Sequence, residues 1–574
     1  MKRNLLCKSS IIVNAYKEVV KRMLKPEIFS ILKDEKRTLT KEGVIKDFVA
    51  GIIVAIIALP LSVALGIASG VSPEKGLITA IIAGFLISFL GGSRVQIGGP
   101  TGAFVVIIYG IIEKYGIDGL IVATLMAGVI LVIFGLLKFG SLIKYISYPI
   151  TVGFTAGIAV TLFSTQVKDF LGLSIDKVPS EFLPKWSMYI QNIGTTNWVT
   201  LALGVFSLAI IILWPKFNEK VPGALVALIL STVIAYFFKL DVATIGTQFG
   251  EISSKIPMPK LPIVDIVTFQ KLIKPAFTIA VLAAIESLLS AVVADGMIGK
   301  KHDSNMELVA QGVGNIASAL FGGIPATGAI ARTAANVKSG GRTPIAGMVH
   351  AVTLLLIMKV LMPLAKYIPL TTLAAVLVVV SYNMSGWRTF KDMLKAPKSD
   401  VIILVATFFI TVIFDLVIAI EVGIIISMCL FMRRMALAIE VNELDGNYCS
   451  DKLRMESIHT HKIGNEILIY DINGPLFFAG IDSFLSTIEK LDIESKVVIL
   501  RMKNMPVLDV TAYGELKKIE KLCLDEEIKL IMSEVQKQPM KVMKNMGMVS
   551  RLGERRFIKT IEEAIKTANS CCID

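Results

Sequence analysis

The sequence predicts a polytopic α-helical membrane protein that is followed by a soluble α/β domain. Of its 574 residues, 54% are hydrophobic and 18% are charged, which is more apolar than a soluble chain of this length requires. Apolar windows of about 20 residues, enough to cross a hydrocarbon core of about 30 Å, recur from Phe48 to about Phe431. From about Glu440 the pattern changes to short β-rich runs between amphipathic helices. The expected domains are therefore a cytosolic N-terminal segment (1–47), a membrane domain (48–436) and a cytosolic C-terminal domain (440–574).

About fourteen membrane segments are predicted, in two sets of about seven. The windows lie near residues 48–67, 76–90, 100–112, 120–137, 149–163, 198–214, 223–238, 276–294, 308–320, 328–337, 345–361, 369–382, 401–414 and 416–431. The third and the tenth windows are shorter than a full membrane span.

The net charge is +13, and the basic residues that produce it lie mainly on one side of the predicted membrane segments. Lysine and arginine are concentrated in the N-terminal segment and in alternate short connections, whereas the two long connections, 164–197 and 239–275, carry mixed charges. Basic residues near membrane segments mark the cytoplasmic side. We therefore expect a multi-pass protein of the plasma (inner) membrane with both termini in the cytoplasm, and no nucleic-acid partner.

The stretch IGGPTGAF, which ends at Phe104, places glycine and proline where a membrane segment should begin. Pro100 suits the first helical position, so the residues that follow would have backbone N–H groups free of intrahelical partners. These residues are Gly102, Ala103 and Phe104. Irregular backbone at membrane depth is tolerated only beside protein or a water-filled cavity. A helix N-terminus in such a place favours anion binding.

The second half of the chain repeats the pattern in GGIPATGA, where Thr327, Gly328 and Ala329 precede another short helix. Short segments interrupted by glycine and proline at matching positions of two halves indicate a transporter binding site at the bilayer midplane. The alternative is an ordinary kinked helix or a re-entrant packing turn, because both residues are common in membrane helices.

Two charged residues lie inside predicted segments. Glu286 is near the middle of the eighth, with Ser290 one turn later on the same face, so the pair could bind a proton, a cation or the hydration shell of a substrate. Arg332 lies one turn inside the tenth, where its guanidinium would add positive charge beside the helix N-terminus. The alternatives are that Glu286 and Arg332 pair with each other, or that Arg332 extends to the cytoplasmic edge.

Three stretches closely resemble bacterial SulP-family anion transporters: GGSRVQIGGPTGAF, AAIESLLSAVVADGM and FGGIPATGAIARTAANVKSGGRTPIAG. The similarity covers nearly the whole chain beyond the N-terminal segment. It implies two inverted seven-segment repeats, as in the uracil permeases, with a core domain of segments one to four and eight to eleven and a gate domain of the others. It also implies a homodimer, and an elevator-like movement of core past gate.

The resemblance places the substrate between the N-termini of half-helices three and ten. By position this implies substrate contacts at Thr101, Gly102, Ala103, Phe104, Gly328, Ala329 and Arg332, with Glu286 and Ser290 in proton coupling. One departure concerns sodium. In the sodium-coupled bicarbonate members an acidic residue and a threonine help to hold the cation, and here Ile330 stands at the threonine position. Isoleucine supplies no side-chain oxygen for a hard cation such as sodium. This departure favours coupling to protons over coupling to sodium.

The C-terminal pattern predicts strands at residues 466–472, 475–480, 496–504 and 529–534. NGPLFFAGID and NMPVLDVTAYGELKKI resemble the STAS domain, which also occurs in bacterial anti-sigma-factor antagonists. In those antagonists a serine or threonine after an aspartate is phosphorylated, and Thr511 follows Asp509 in the same place. The alternatives are that Thr511 caps a helix, and that the domain acts in dimerisation, trafficking or binding of a cytosolic protein.

These features predict a secondary active importer of a small inorganic oxyanion, with sulfate as the leading candidate and bicarbonate or C4-dicarboxylates as competitors. A passive channel or exchanger and a membrane anion sensor are further alternatives, whereas nucleobase transport is disfavoured because the site carries positive charge. An enzyme is not expected, since the motifs of ATP-driven pumps, zinc hydrolases and serine hydrolases are absent from the sequence. We expect no cofactor and no metal.

Overall fold

The computed structural model describes residues 25–33, 40–141, 147–218, 221–262, 265–414, 416–443, 466–481 and 495–573. The chain forms two compact units, Met1–Ile424 and Ile425–Asp574. The division falls inside one long helix, before the end of the membrane domain expected from the sequence. The proposed domain limits of 1–47, 48–436 and 440–574 therefore stay predictions.

The first unit is helical. Its helices are α1 (Glu27–Lys33), α2 (Lys41–Ala68), α3 (Pro73–Leu90), α4 (Val105–Leu136), α5 (Tyr148–Leu171), α6 (Phe182–Gln191), α7 (Trp198–Leu213), α8 (Gly223–Phe237), α9 (Ile245–Phe249), α10 (Ile266–Ile298), α11 (Ser304–Leu320), α12 (Ile330–Lys338), α13 (Ile345–Ala365), α14 (Leu370–Ser385), α15 (Trp387–Met393), α16 (Lys398–Ile413) and α17 (Leu416–Leu437), the last of which continues into the second unit. Within the described ranges, eight helices are long and apolar enough to cross a membrane, and α8 is a shorter apolar helix.

Every predicted membrane window overlaps one of these helices, but the third and fourth windows lie in one continuous run. This run starts with a 3-10 turn, Gly102–Phe104, and continues into α4. Gly116 interrupts α4 with a φ of 70° and a ψ of −174°, a conformation that glycine adopts without a steric penalty. The break separates the half-helix from the full span that follows it.

The interior of the first unit forms where α4 packs against α10 and α11. Gly128 of α4 and Gly312 of α11 lie against each other, and a side-chain carbon on either one would meet the backbone oxygen of the other. Small residues let membrane helices approach closely and pack by van der Waals contact.

A two-stranded antiparallel ladder positions the candidate site. β1 (Gly98–Gly99) pairs with β2 (Thr327–Gly328), with Gly98 opposite Gly328 and Gly99 opposite Thr327. Because each strand directly precedes one of the two half-helices, the pairing brings both helix starts together from opposite halves of the chain.

The second unit contains a five-stranded sheet in the order β3-β4-β5-β6-β7. The strands are β3 (Glu440–Glu443), β4 (Ile467–Asn473), β5 (Val497–Asn504), β6 (Lys529–Ser533) and β7 (Phe557–Ile558). β3 is antiparallel to β4, and the other neighbours are parallel. The helices are α18 (Val510–Asp525), α19 (Lys537–Asn545), α20 (Met548–Leu552) and α21 (Ile561–Ile573). Two apolar clusters, one of which includes residues of α18 and the other residues of α21, pack on the sheet.

The strand predicted at 475–480 is wrong. Leu476 makes a single bridge to Leu508, and Phe478–Gly480 forms a 3-10 turn. The backbone N–H of Phe478 donates to the Asp509 carboxylate at 3.0 Å, so a side chain takes the donor that a strand ladder would have used.

Candidate functional site

Both half-helices begin at one cavity of about 350 Å³. The half-helix starts contribute Pro100, Thr101, Gly102, Gly328, Ala329, Ile330, Ala331 and Arg332. Glu286 of α10 also lines the cavity, together with apolar neighbours from α2 and α10. Most of the residues predicted from the sequence to bind substrate therefore line one cavity.

The first half-helix exposes fewer donors than the sequence suggested. Gly102 and Ala103 have backbone N–H groups with no acceptor among the described residues, whereas the N–H of Phe104 donates to the Thr101 oxygen at 3.3 Å. Ala103 and Phe104 are fully buried in the apolar interior and do not line the cavity. The prediction of direct substrate contact is therefore corrected for Phe104, whose N–H and side chain are both used inside the protein, whereas for Ala103, whose N–H is unpaired, it stays a prediction.

The second half-helix presents different donors from those predicted. The N–H of Gly328 donates to the Ser287 hydroxyl at 3.1 Å, and the N–H of Ala329 donates to the Ile97 oxygen at 2.9 Å. The first intrahelical bond runs from Thr333 to the Ala329 oxygen. As a result the N–H groups of the second half-helix that have no acceptor among the described residues belong to Ile330, Ala331 and Arg332. Gly328 and Ala329 line the cavity, so their predicted contact with the substrate stays a prediction.

A chain of hydroxyl groups holds the start of the second half-helix. The Ser287 hydroxyl, which accepts from Gly328, lies 2.7 Å from the Thr327 hydroxyl, and Thr327 in turn donates to the Ala283 oxygen at 3.1 Å. The Ser287 and Thr327 hydroxyls are both buried and hydrogen-bonded. Their bonds fix β2, the strand before the half-helix, against α10.

Arg332 is a buried cation that connects the two half-helices. Its side chain is 2% exposed, and Nη2 donates to the Pro100 oxygen at 2.9 Å. Nε and Nη1 have no partner among the described residues, and no ion pair joins the guanidinium to Glu286. Both alternatives for this residue, pairing with Glu286 and extension to the cytoplasmic edge, are therefore wrong. Its buried guanidinium lies at the starts of both half-helices, beside the cavity.

Glu286 and Ser290 do not form the joint site that their spacing suggested. Glu286 lines the cavity and accepts a hydrogen bond from the Thr101 hydroxyl at 2.9 Å. Ser290 is fully buried outside the cavity lining, where its hydroxyl donates to Thr333 at 3.3 Å. This corrects the prediction for Ser290, because its hydroxyl contacts the second half-helix and not the cavity.

Sequence reasoning missed the opposite wall of the cavity. Phe154 and Thr155 come from α5, and Val380, Asn383 and Met384 come from α14. These positions follow an ordinary apolar helical pattern, with no motif, charge or breaker to mark them. Asn383, in the polar run Ser381–Tyr382–Asn383 near the end of α14, is the residue that could have suggested a cavity.

Thr511 is exposed in the first turn of α18. The helix cap is Asp509, whose carboxylate accepts from the N–H of Ala512 at 2.8 Å. The alternative that Thr511 is the cap is therefore wrong. An exposed hydroxyl at a helix N-terminus is compatible with the predicted phosphorylation, which stays a prediction.

Comparison with known proteins identifies the family. The sulfate permease family profile matches residues 44–407, and the STAS domain profile matches residues 459–564. YvdB of Bacillus subtilis, whose name assigns it provisionally to sulfate transport, is 42% identical over 520 residues, which cover 90% of this chain and 96% of YvdB. Bicarbonate transporter BicA of Picosynechococcus is 31% identical over 537 residues, covering 91% of this chain and 94% of BicA.

Solved structures show the same fold. The transmembrane domain of a cyanobacterium bicarbonate transporter BicA superposes with a TM-score of 0.62 at 31% identity, over 67% of this chain and 99% of that domain. Murine Solute Carrier 26 family member A9, an anion transporter in the inward-facing state, gives 0.84 at 18% identity, over 96% and 95% of the two chains. The chain therefore belongs to the sulfate permease family of anion transporters, multi-pass helical membrane proteins that here carry a C-terminal STAS domain.

Proposed function

We propose that this anion transporter is a secondary active importer of sulfate, coupled to protons through Glu286 and moving by an elevator mechanism. The observation that carries the proposal is the set of unpaired backbone N–H groups at Gly102, Ile330 and Ala331, which belong to two helix starts at one cavity. Such donors and two helix dipoles stabilise a small oxyanion. The unpaired charge of Arg332 adds to this attraction without a competing ion pair.

Glu286 supports proton coupling in preference to sodium coupling. It is the one carboxylate among the described residues that line the cavity, and its hydrogen bond to Thr101 joins it directly to the first half-helix. A hard cation prefers several oxygen ligands, and Ile330 offers none from its side chain. A carboxyl group that is reversibly protonated beside the anion needs no further ligand.

The walls of the cavity support the elevator mechanism. One wall comes from the half-helices, α2 and α10, which lie in the core domain implied by the family resemblance, and the other comes from α5 and α14, which lie in the gate domain. A substrate held by the first group would move with it against the second.

Bicarbonate is the main competing substrate, because relatives at 31% and 42% identity are named for bicarbonate and for sulfate respectively. C4-dicarboxylates, a passive channel or exchanger, and a membrane anion sensor remain alternatives. We further propose a homodimer in the plasma membrane with cytoplasmic termini, in which the STAS domain (440–574) offers a surface for a cytosolic protein.

The deciding experiment measures uptake of labelled sulfate, bicarbonate and succinate into proteoliposomes with an imposed inward proton gradient. The wild type is compared with Glu286→Gln and with Glu421→Gln, which removes an exposed carboxylate of α17 outside the cavity. We expect sulfate to accumulate in the wild type and in Glu421→Gln, and the proton dependence to disappear in Glu286→Gln.

Other outcomes distinguish the alternatives. Accumulation of bicarbonate alone would make bicarbonate, and not sulfate, the substrate. Flux that does not depend on the proton gradient in any of the three proteins would favour a channel or exchanger. Anion binding without flux would favour a sensor. Proton dependence that survives in Glu286→Gln would remove Glu286 from the coupling mechanism.

A further inference from the structure

A second cavity, of about 430 Å³, lies in the membrane unit apart from the candidate substrate site. Its lining comes from the first part of α4, from Thr161 of α5, from α6 and the connection before it, from the start of α10 and from the end of α16. No residue lines both cavities. The cavity involves both long connections, so by the proposed topology it lies at the extracellular face.

The lining of this cavity is strongly basic. Lys114, Lys185, Lys271 and Lys274 all line it, and Glu181 is the one carboxylate among its described lining residues. The balance near neutral pH is about three positive charges in a concave space with partly apolar walls, where field lines concentrate. None of the four lysines makes an ion pair within 4.0 Å in the described chain, although Lys185 also lines a neighbouring cavity with Asp169 and Asp176. The other three lysines line only the basic cavity.

Lys185 distinguishes this cavity from a group of surface lysines. Lys185 lies in α6, outside the predicted membrane segments, and yet it is only 4% exposed. Burial lowers the pKa of its ammonium to about 8, and the nearby carboxylate of Glu113 opposes this shift only in part. A buried ammonium is unfavourable unless opposite charge compensates it, and Glu113, which makes no ion pair with Lys185 within 4.0 Å, does so only in part.

We propose that the cavity around Lys185 is a second anion site, which binds a small divalent oxyanion such as sulfate on the side opposite the cytoplasm. The hydroxyls of Thr161, Thr278 and Thr411 donate to their own helices, so the ammonium groups would hold the ligand, with the hydroxyls of Tyr115 and Ser180 as the other side-chain donors of the lining. A dianion matches the net charge of the cavity better than a monoanion does. The site would raise the local concentration of anion beside the transport domain.

The test follows acetylation of individual lysines by mass spectrometry in the purified full-length protein at pH 7. Only a neutral amine is acetylated, and an opposite charge nearby raises an ammonium pKa by about 1–3 units. A rise of one unit lowers the neutral fraction about tenfold. We therefore expect Lys185 to be acetylated about tenfold more slowly in sulfate than in chloride of equal ionic strength, whereas the exposed Lys177 of the same connection reacts equally in both.

Two variants locate the effect. Lys271→Gln together with Lys274→Gln removes two donors of the cavity and should weaken the protection of Lys185. Arg332→Gln, which affects the substrate site, should leave that protection intact even where it abolishes transport. This keeps a failure of the proposed function separate from a failure of the second site.

The proposal is overturned by equal acetylation of Lys185 in sulfate and chloride in the wild type, a result that depends on no variant. It is also overturned if protection disappears in Arg332→Gln, because the effect would then come from the substrate site. Protection that is unchanged in the lysine double variant would show that the cavity does not hold the anion.

Discussion

The free backbone donors of the second half-helix allow one donor to be removed without breaking the helix. Ile330 is the first residue of α12, and its N–H has no acceptor among the described residues. Proline is well tolerated at the first helical position because it lacks a hydrogen that would be unpaired there. Ala329, the preceding residue, has φ of −90° and ψ of 111°, which lies in the extended region that a following proline requires. Ile330→Pro should therefore fold.

The expected loss follows from one hydrogen bond. A hydrogen bond to a charged group contributes about 1.5–3 kcal/mol, and each 1.4 kcal/mol changes an equilibrium constant about tenfold. If the N–H of Ile330 donates to the anion, Ile330→Pro should weaken sulfate binding by about 10- to 140-fold. Ile330→Val keeps the N–H and removes one methylene group, so it should bind sulfate within about threefold of the wild type.

The assay is calorimetric titration of sulfate into the detergent-solubilised protein, with the thermal unfolding midpoint recorded for each variant. A folded Ile330→Pro protein with the affinity of Ile330→Val would refute the assignment of this N–H to the anion. Ala331→Pro gives a second variant, since the N–H of Ala331 is also unpaired. A loss in both variants would show that the helix start as a whole holds the anion.

Three further predictions concern the supporting structure. Ser287→Ala leaves the buried N–H of Gly328 without its acceptor and should lower the free energy of unfolding by about 1–3 kcal/mol. Ser290→Ala should lower it by less than about 1 kcal/mol, because the hydrogen bond of Ser290 is 3.3 Å long. Equal losses for the two variants in chemical unfolding would contradict this difference. Asp47 accepts from the backbone and the hydroxyl of buried Thr343, so Asp47→Ala should lower the thermal midpoint more than Asp47→Asn, and the reverse order would refute its role as an acceptor. Burial raises the pKa of the Cys523 thiol to about 11, so its alkylation at pH 8 should be about 100-fold slower in the native protein than in urea, and a similar rate in both would contradict the burial.

The sequence by itself was enough for the membrane class, the positions of the long apolar helices and the two paired glycine–proline stretches. These features depend on local composition and periodicity, which are properties of neighbouring residues in the chain. It was also enough to indicate Glu286 and Arg332, because a charge inside an apolar segment is conspicuous without any structure.

Tertiary contacts decided which groups are available to a ligand. The bonds that matter join residues far apart in the chain: Thr101 to Glu286 across 185 positions, and Arg332 to Pro100 across 232. Contacts of the same kind use up the N–H groups of Gly328 and Ala329. Local patterns predict that a helix start has unpaired donors, but only the neighbours that fold against it determine which donors are used internally and which are left for the anion.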